Sequence, residues 1–393
     1  MKLFIIVSRF PYPLEKGDKL RAWHQIQLLA EKHEVYLFCL SDAPVASAHI
    51  DFVKSQVAHL EVAYLSKARL LLNLMRGLFN LRPFQVNYFY SGKIHKRVRE
   101  VLREFQPNAI YCQLIRCAEY VKNEHDFSKT IDYMDALSAG VRRRSDLKKG
   151  IVKLAFREEA KRLALYENLV FDYFENHTII SEQDRDLIYH EKRRSIKVNR
   201  NGVDSDYFFP QRKEKVYDLV FTGNMNYPPN VDGAKRIVYE ILPDLKARGF
   251  ALKVLIAGAN PSDEVKELAK VEGVTVSGWM DDIRVAYDSA RVFVAPMRIG
   301  TGLQNKLLEA MSMELPSITT HLAANAFSKE QQKAFVTADT NHLIVEAILY
   351  FINFRENAAQ QGKLARDMVV AHFSWNAAVS ELEDILFNAN QKK

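Results

Sequence analysis

Two basic side chains and one acid surround a short glycine loop at residues 295–311, APMRIGTGLQNKLLEAM, a spacing suited to binding an anion. Glycines at 300 and 302 permit close backbone approach, and the amides of Gly302, Leu303 and Gln304 fall where a helix begins. The dipole there favours negative charge by about 0.3–1 kcal/mol, too little by itself to hold a diphosphate. Arg298 adds a two-pronged planar donor, and Lys306 adds a compact point charge. Glu309 has two readings. It is either a solvated helix residue paired with Lys306 at i+3, or a carboxylate that accepts from ribose hydroxyls.

Similar loops recur along the second half of the chain. Gly223 in FTGNMNYPPN, Gly258 in IAGANP and Gly278 in SGWMDD each follow a strand-like apolar run, as do Gly300 and Gly302. A turn explains any one of these glycines. Four in successive loops on one sheet edge also match an anion site, because open parallel sheets bind ligands beyond the carboxyl ends of their strands.

Parallel sheets are what the pattern predicts. KLFIIVS, EVYLFCL, NAIYCQ, KTIDYM and NHTIIS read as strands in the first half, with helices such as KLRAWHQIQLLAEK between them. YDLVFTG, LKVLIAG, VTVSG, RVFVAPM and LPSITT do so in the second, which predicts an α/β chain of two Rossmann-like halves in series. The join falls in the polar stretch 195–215, with Asn201-Gly202 as a turn signal and Pro210 beyond it. The last stretch, FSWNAAVSELEDILFNANQKK, reads as an amphipathic helix with a charged tail.

Composition narrows the function classes. The 393 residues hold 55 Lys and Arg against 48 Asp and Glu, a net +7 that suits an anionic ligand or membrane surface and is too weak to claim nucleic acid. Mean hydropathy is −0.21. Cys39, Cys112 and Cys117 show no metal or redox spacing and read as reduced core residues of a cytoplasmic protein. The most membrane-like run, LLLNLMRGLF at 70–79, is broken by Asn73 and Arg76, so no transmembrane span is expected.

RNGVDSDYF, FTGNMNYPPNVDGAKRIVYEILPDL, IAGANP, VTVSGWMDDIRVAYDSARVFVAPMRIGTGLQNKLLEAM and FSW, in that order, resemble the C-terminal half of retaining GT-B glycosyltransferases of the glycosyltransferase family 4 type. The first half resembles the family more loosely, through SRFPYPLEKGDKLRAWHQIQLLAEKHEV, IDYMDALS and EEAKRLALYE. The resemblance implies two Rossmann-like domains facing across a cleft: an acceptor-side domain at 1–198, a nucleotide-sugar domain at 199–372, and a helix at 373–393 returning to the first. It implies a nucleotide-diphospho-sugar donor, a saccharide or lipid-linked saccharide acceptor, and neither a cofactor nor an obligatory metal.

The same resemblance implies residue roles. Gly302, Leu303 and Gln304 would take the diphosphate with Arg298 and Lys306 as catalytic cations, and Glu309 would hold the ribose. Gly223 and Asn224 would face the phosphates beside Gly258. Trp279 and Met280 would flank the base, and Gly17 and Asp18 would approach the sugar or acceptor. Three positions depart from the family pattern. Thr301 stands where the family carries the first acid of E-x7-E, Glu314 where it carries a glycine, and Asp135 where it often carries a histidine. Asp135 either accepts the acceptor's proton or orients the sugar, or else, with Asp132, caps the segment that follows.

Residues 67–105 and 142–162 mix Arg and Lys with Leu, Phe and Tyr. They read either as peripheral contacts with an anionic membrane or as helices packed on the core with a solvated basic face. Two rival functions remain open at this level: a non-catalytic nucleotide-sugar-binding or membrane-scaffold protein, and a nucleotide-sugar 2-epimerase of the same fold.

Overall fold

A computed structural model describes residues 1–14, 17–146, 148–212, 214–299 and 303–387. The chain divides into two units, Met1–Arg200 with Ala378–Lys393, and Asn201–Ala377.

The first unit is built on seven parallel strands: β1 (Lys2–Val7), β2 (Glu34–Ser41), β3 (His59–Tyr64), β4 (Ala109–Gln113), β5 (Ser128–Asp132), β6 (Asn176–Ile179) and β7 (Lys197–Val198). Their order is β3-β2-β1-β4-β5-β6-β7, with the reversal between β1 and β4. The central strand shows why it formed: Phe4 and Ile6 enter one apolar cluster while Leu3, Ile5 and Val7 enter another, so both faces are covered. A run of consecutive apolar residues is what such a doubly buried parallel strand needs. Helix Trp375–Phe387 lays Val379, Leu382 and Leu386 on the Leu3 face. Strand β3 was not legible in the sequence, because it sits at the edge and none of its residues is fully buried.

An ion pair lies inside this unit. Arg21 Nε donates to Asp132 Oδ2 at 2.7 Å, and both side chains are completely buried. The Tyr111 hydroxyl donates to the same carboxylate at 2.9 Å, Met134 N donates to Asp132 Oδ1 at 3.1 Å, and Arg21 Nη2 donates to Asn199 at 3.1 Å. Asp132 is therefore a core anchor.

The second unit carries β8 (Tyr217–Thr222), β9 (Val254–Ala257), β10 (Val274–Val276), β11 (Ala290–Ala295), β12 (Ser317–Thr319) and β13 (Val336–Thr337). They run parallel in the order β10-β9-β8-β11-β12-β13, reversing between β8 and β11. Helix Asn305–Ser312 follows β11 and ends in a Schellman cap: Leu315 N donates to Ala310 O, and Glu314 N donates to Met311 O, both at 3.1 Å. The capping position needs a left-handed backbone, and Glu314 supplies it at φ 57°. A non-glycine residue there costs about 1–2 kcal/mol, so Glu314→Gly is expected to stabilise the second unit by roughly 1 kcal/mol, read as a higher denaturant midpoint at unchanged slope.

Candidate functional site

The reversal between β8 and β11 places the Gly223 loop and the loop after β11 side by side. Gly223 follows β8 at φ 150°, and a β-carbon on it would lie 2.6 Å from Asn230 Nδ2 and 3.3 Å from Lys306 Nζ. Gly258 follows β9, and its β-carbon would lie 1.9 Å from the Gly223 carbonyl oxygen. Its amide donates to Gly278 O at 3.1 Å. Close backbone approach thus requires the glycine at 258, and the three loops meet in series, Gly278 on Gly258 and Gly258 on Gly223, with Lys306 beside Gly223.

Lys306 lies in the first turn of its helix, half-buried, with its ammonium bonded to Asn230 Oδ1 and 4.5 Å from the centre of the Phe221 ring. Burial pushes its pKa down to about 7, against the opposing pull of Glu309. A charged lysine in such a place gains from an anion beside it. Glu309 is anchored to a buried tyrosine: the Tyr287 hydroxyl gives a 2.6 Å hydrogen bond to Oε2 and lies 2.7 Å from Thr222 Oγ1. Burial raises the pKa of Glu309, while Tyr287 and Lys306 oppose that shift. The alternative of a solvated Glu309 is set aside by this tie to Tyr287.

Leu303 is buried, and Gln304 stands at the N-cap of the helix. Gly300, Thr301 and Gly302 lie outside the described residues. Asn224 makes an Asx turn, its Oδ1 accepting from Asn226 N at 3.1 Å, and its carbonyl accepts from Asn230 Nδ2 at 2.9 Å. Arg298 turns elsewhere. Its guanidinium bonds Asp232 at 3.0 and 3.2 Å and Glu240 at 2.9 and 3.0 Å, so two carboxylates already balance its charge. Helix Pro228–Arg236 serves both clusters, with Asn230 on Lys306 and Asp232 on Arg298. Beyond β10, Trp279 is exposed with Nε1 donating to Asp281 at 3.1 Å, and Met280 is half-buried.

In the first unit Gly17 begins a helix, and Asp18 accepts from Arg9 Nη1 at 2.6 Å. Asp135 is open to solvent two residues after Tyr133, yet enough protein surrounds it to push its carboxyl up to about 6, helped by Asp184 and opposed by Arg116, Arg144 and Arg143. Among the described residues no group of three His, Cys, Asp or Glu side chains converges to hold a metal ion.

Sequence reasoning missed Asn230, Tyr287 and the Asp232–Glu240 clamp. Asn230 stands in the YPPN stretch, where the Pro-Pro-Asn run signals a helix start but not a lysine partner. Tyr287 looks like an ordinary core aromatic, and only its contact with Glu309 marks it.

Residues 216–353 match the model of a family described as glycosyl transferases group 1. An uncharacterized 44.6 kDa protein in the cps region of Klebsiella pneumoniae is 22% identical over 93% of each chain. The sucrose-phosphate synthase of Thermosynechococcus elongatus shares 14% identity at a TM-score of 0.69, covering 98% of each chain. Anabaena HepE, solved in complex with UDP-glucose, shares 12% at a TM-score of 0.68, also over 98% of each. The solved structures show that the fold is GT-B, and the matched region supports a glycosyltransferase.

Proposed function

We propose that the chain transfers a sugar from a nucleotide-diphospho-sugar to a saccharide or lipid-linked saccharide with retention of anomeric configuration, in cell-surface polysaccharide or glycoconjugate assembly. The observation that carries this reading is Lys306, a half-buried ammonium at the reversal of the second sheet, tied to the neutral Asn230 within the matched region. A leaving diphosphate develops negative charge as the glycosidic bond breaks, and a cation already positioned there lowers the barrier. Leu303 and Gln304 would add backbone donors at the helix start, and Glu309, oriented by Tyr287, would accept from the ribose hydroxyls. Arg298 would act through its carboxylate clamp, holding helix Pro228–Arg236 in place, or would reach the donor after releasing one carboxylate. No obligatory metal enters this reading. The UDP-glucose bound by HepE supports a nucleotide-sugar donor, and the relative in the cps region supports the polysaccharide part.

The test is incubation with a panel of nucleotide sugars and saccharide or lipid acceptors. Transfer or slow hydrolysis that Lys306→Ala abolishes supports the reading. Tight binding without turnover across the panel rejects it in favour of a binding protein, and release of epimerised nucleotide sugar rejects it in favour of an epimerase.

The same reading puts the protein at the cytoplasmic face of a membrane. Among the described residues no helix is long and apolar enough to cross one. However, Leu71, Leu78, Phe79 and Leu81 are exposed at 61, 65, 89 and 88%, and Ile151 and Leu154 at 82 and 64%. Arg162 Nη1 links the two patches by donating to Gly77 O at 2.6 Å and Asn80 O at 3.0 Å. Residues 67–82 and 142–157 together hold eleven Lys and Arg against the single acid Asp146, so the remainder of this +7 chain is net acidic. Exposed apolar side chains ringed by cations suit an anionic bilayer surface. Burying Phe79 and Leu81 in lipid is worth about 1.5–3 kcal/mol each, so Phe79→Asp with Leu81→Asp is expected to weaken sedimentation with phosphatidylglycerol vesicles by at least about tenfold. Equal sedimentation of both proteins would reject the contact.

A further inference from the structure

The first sheet reverses between β1 and β4, and the crevice outside their carboxyl ends is where a sheet of this order takes a ligand. Ser8, Arg9, Asp18, Lys19, Gln113 and Leu114 line a small recess there. Arg116 stands two residues further on, half-buried, close enough to Arg9 for the two positive charges to oppose each other. Its Nε and Nη2 donate at 3.1 and 2.6 Å to one neutral acceptor, Gln85 Oε1, and its guanidinium lies 5.9 Å from the Phe89 ring centre. Among the described residues no carboxylate stands within ion-pair distance of it.

The nearby acids are mostly committed. Asp18 takes the 2.6 Å hydrogen bond from Arg9, and Asp42 accepts from the Tyr88 hydroxyl at 3.1 Å. Asp135 is the remaining acid whose charge reaches Arg116, and Arg143 and Arg144 also face it. Burial and the Arg9 charge both push the Arg116 pKa down, which is the condition of a cation short of a counter-ion.

A second observation points the same way. Gln113 is 3% exposed, and its buried Nε2 has no hydrogen-bond partner. A buried donor left unmade is costly, so native structures ordinarily supply it with an acceptor. Leu114, next in the chain and lining the same recess, holds a left-handed backbone at φ 67°, a strain that collects where ligands bind.

We infer that this crevice binds an oxyanion, a phosphate or a carboxylate, gripped by Arg116 with Arg9 and contacted by the Gln113 amide. On the reading of the chain as a transferase, that oxyanion belongs to the acceptor, which makes the acceptor an acidic or phosphorylated saccharide. The anion site itself does not depend on that reading.

Glucose, glucuronate and glucose 6-phosphate form a matched set, neutral, carboxylated and phosphorylated, whose dissociation constants can be measured by calorimetry on the full chain. A charge-assisted fork is expected to make at least one of the acidic sugars bind about ten- to a hundredfold more tightly than glucose. Whichever of the two gains more identifies the anion as carboxylate or phosphate. Arg116→Gln is expected to erase the advantage, Arg116→Lys to keep part of it, and Lys306→Ala to leave it unchanged, with melting curves confirming that each variant is folded. Equal or undetectable binding of all three sugars overturns the inference, as does an advantage that survives Arg116→Gln or vanishes in Lys306→Ala. Acidic sugars bound through Arg116 in a chain that turns over no nucleotide sugar would sink the transferase reading and leave this site standing.

Discussion

Lys306→Ala is expected to lower sugar transfer by about 10²–10³-fold while the protein remains folded, because one preorganised donor at a developing anion is worth that much in a water-poor site. The stability effect should run the other way. Burial lowers the lysine's pKa to about 7 from its usual range, so keeping it there costs folding free energy. A folded pKa below the unfolded one means that the unfolded chain binds more protons between about pH 7 and 10.5, and stability rises with pH across that window. Lys306→Met, which keeps the length and removes the charge, should therefore melt higher than the parent at pH 7 while losing the same activity. A lysine whose role was purely structural would lose stability on replacement, which separates the two accounts.

The same group makes a signed prediction about binding. A diphosphate beside Lys306 favours its charged form, so the pKa rises on binding and a proton is taken up above about pH 7. Nucleotide affinity is then expected to fall as pH climbs from 7, by up to about tenfold per unit, and to level off below 7. Calorimetry in two buffers of different ionisation heat reads the proton directly. No uptake at pH 8 would mean that the diphosphate does not touch Lys306.

Arg21→Met is expected to cost the first unit about 3–5 kcal/mol, the largest stability loss of any single change considered, because it strands the fully buried Asp132 carboxylate without its cation. Denaturant titration followed by a probe in the first unit should show an early transition, with the second unit unfolding as before. Adding Asp132→Asn should recover much of the loss, since the amide oxygen can still accept from Met134 N, the amide nitrogen can donate to the Tyr111 hydroxyl as that hydroxyl donates to Gln25, and the stranded charge is gone. If the double variant is no more stable than the single one, the cost lies in packing and not in the unpaired charge.

Much of this was legible in the sequence. Doubly buried parallel strands must be apolar along their length, so KLFIIV and RVFVA announced themselves, whereas HLEVAY at the sheet edge and the two-residue strands β7 and β13 carried no such run. Gly258 was legible because no other residue fits where its backbone meets that of Gly223, and Gly223 because it ends its strand at a positive φ against the Asn230 and Lys306 side chains. Glu314 shows the limit of that logic, since its left-handed cap is formed without the glycine that would mark it.

The sequence by itself determined the α/β class, the edge of the second sheet that carries the loops, and the basic, acid-bearing character of residues 295–311, because periodicity and residue type follow from local chemistry. Only the tertiary structure decided what each charge does. It sent Arg298 to Asp232 and Glu240, tied Glu309 to Tyr287, closed Asp132 on Arg21, and left Arg116 beside Arg9 with a neutral partner. A side chain's charge is a property of its residue, but its partner is set by which elements the sheet order brings together, and these partners lie 22 to 111 positions apart, where no local pattern reaches.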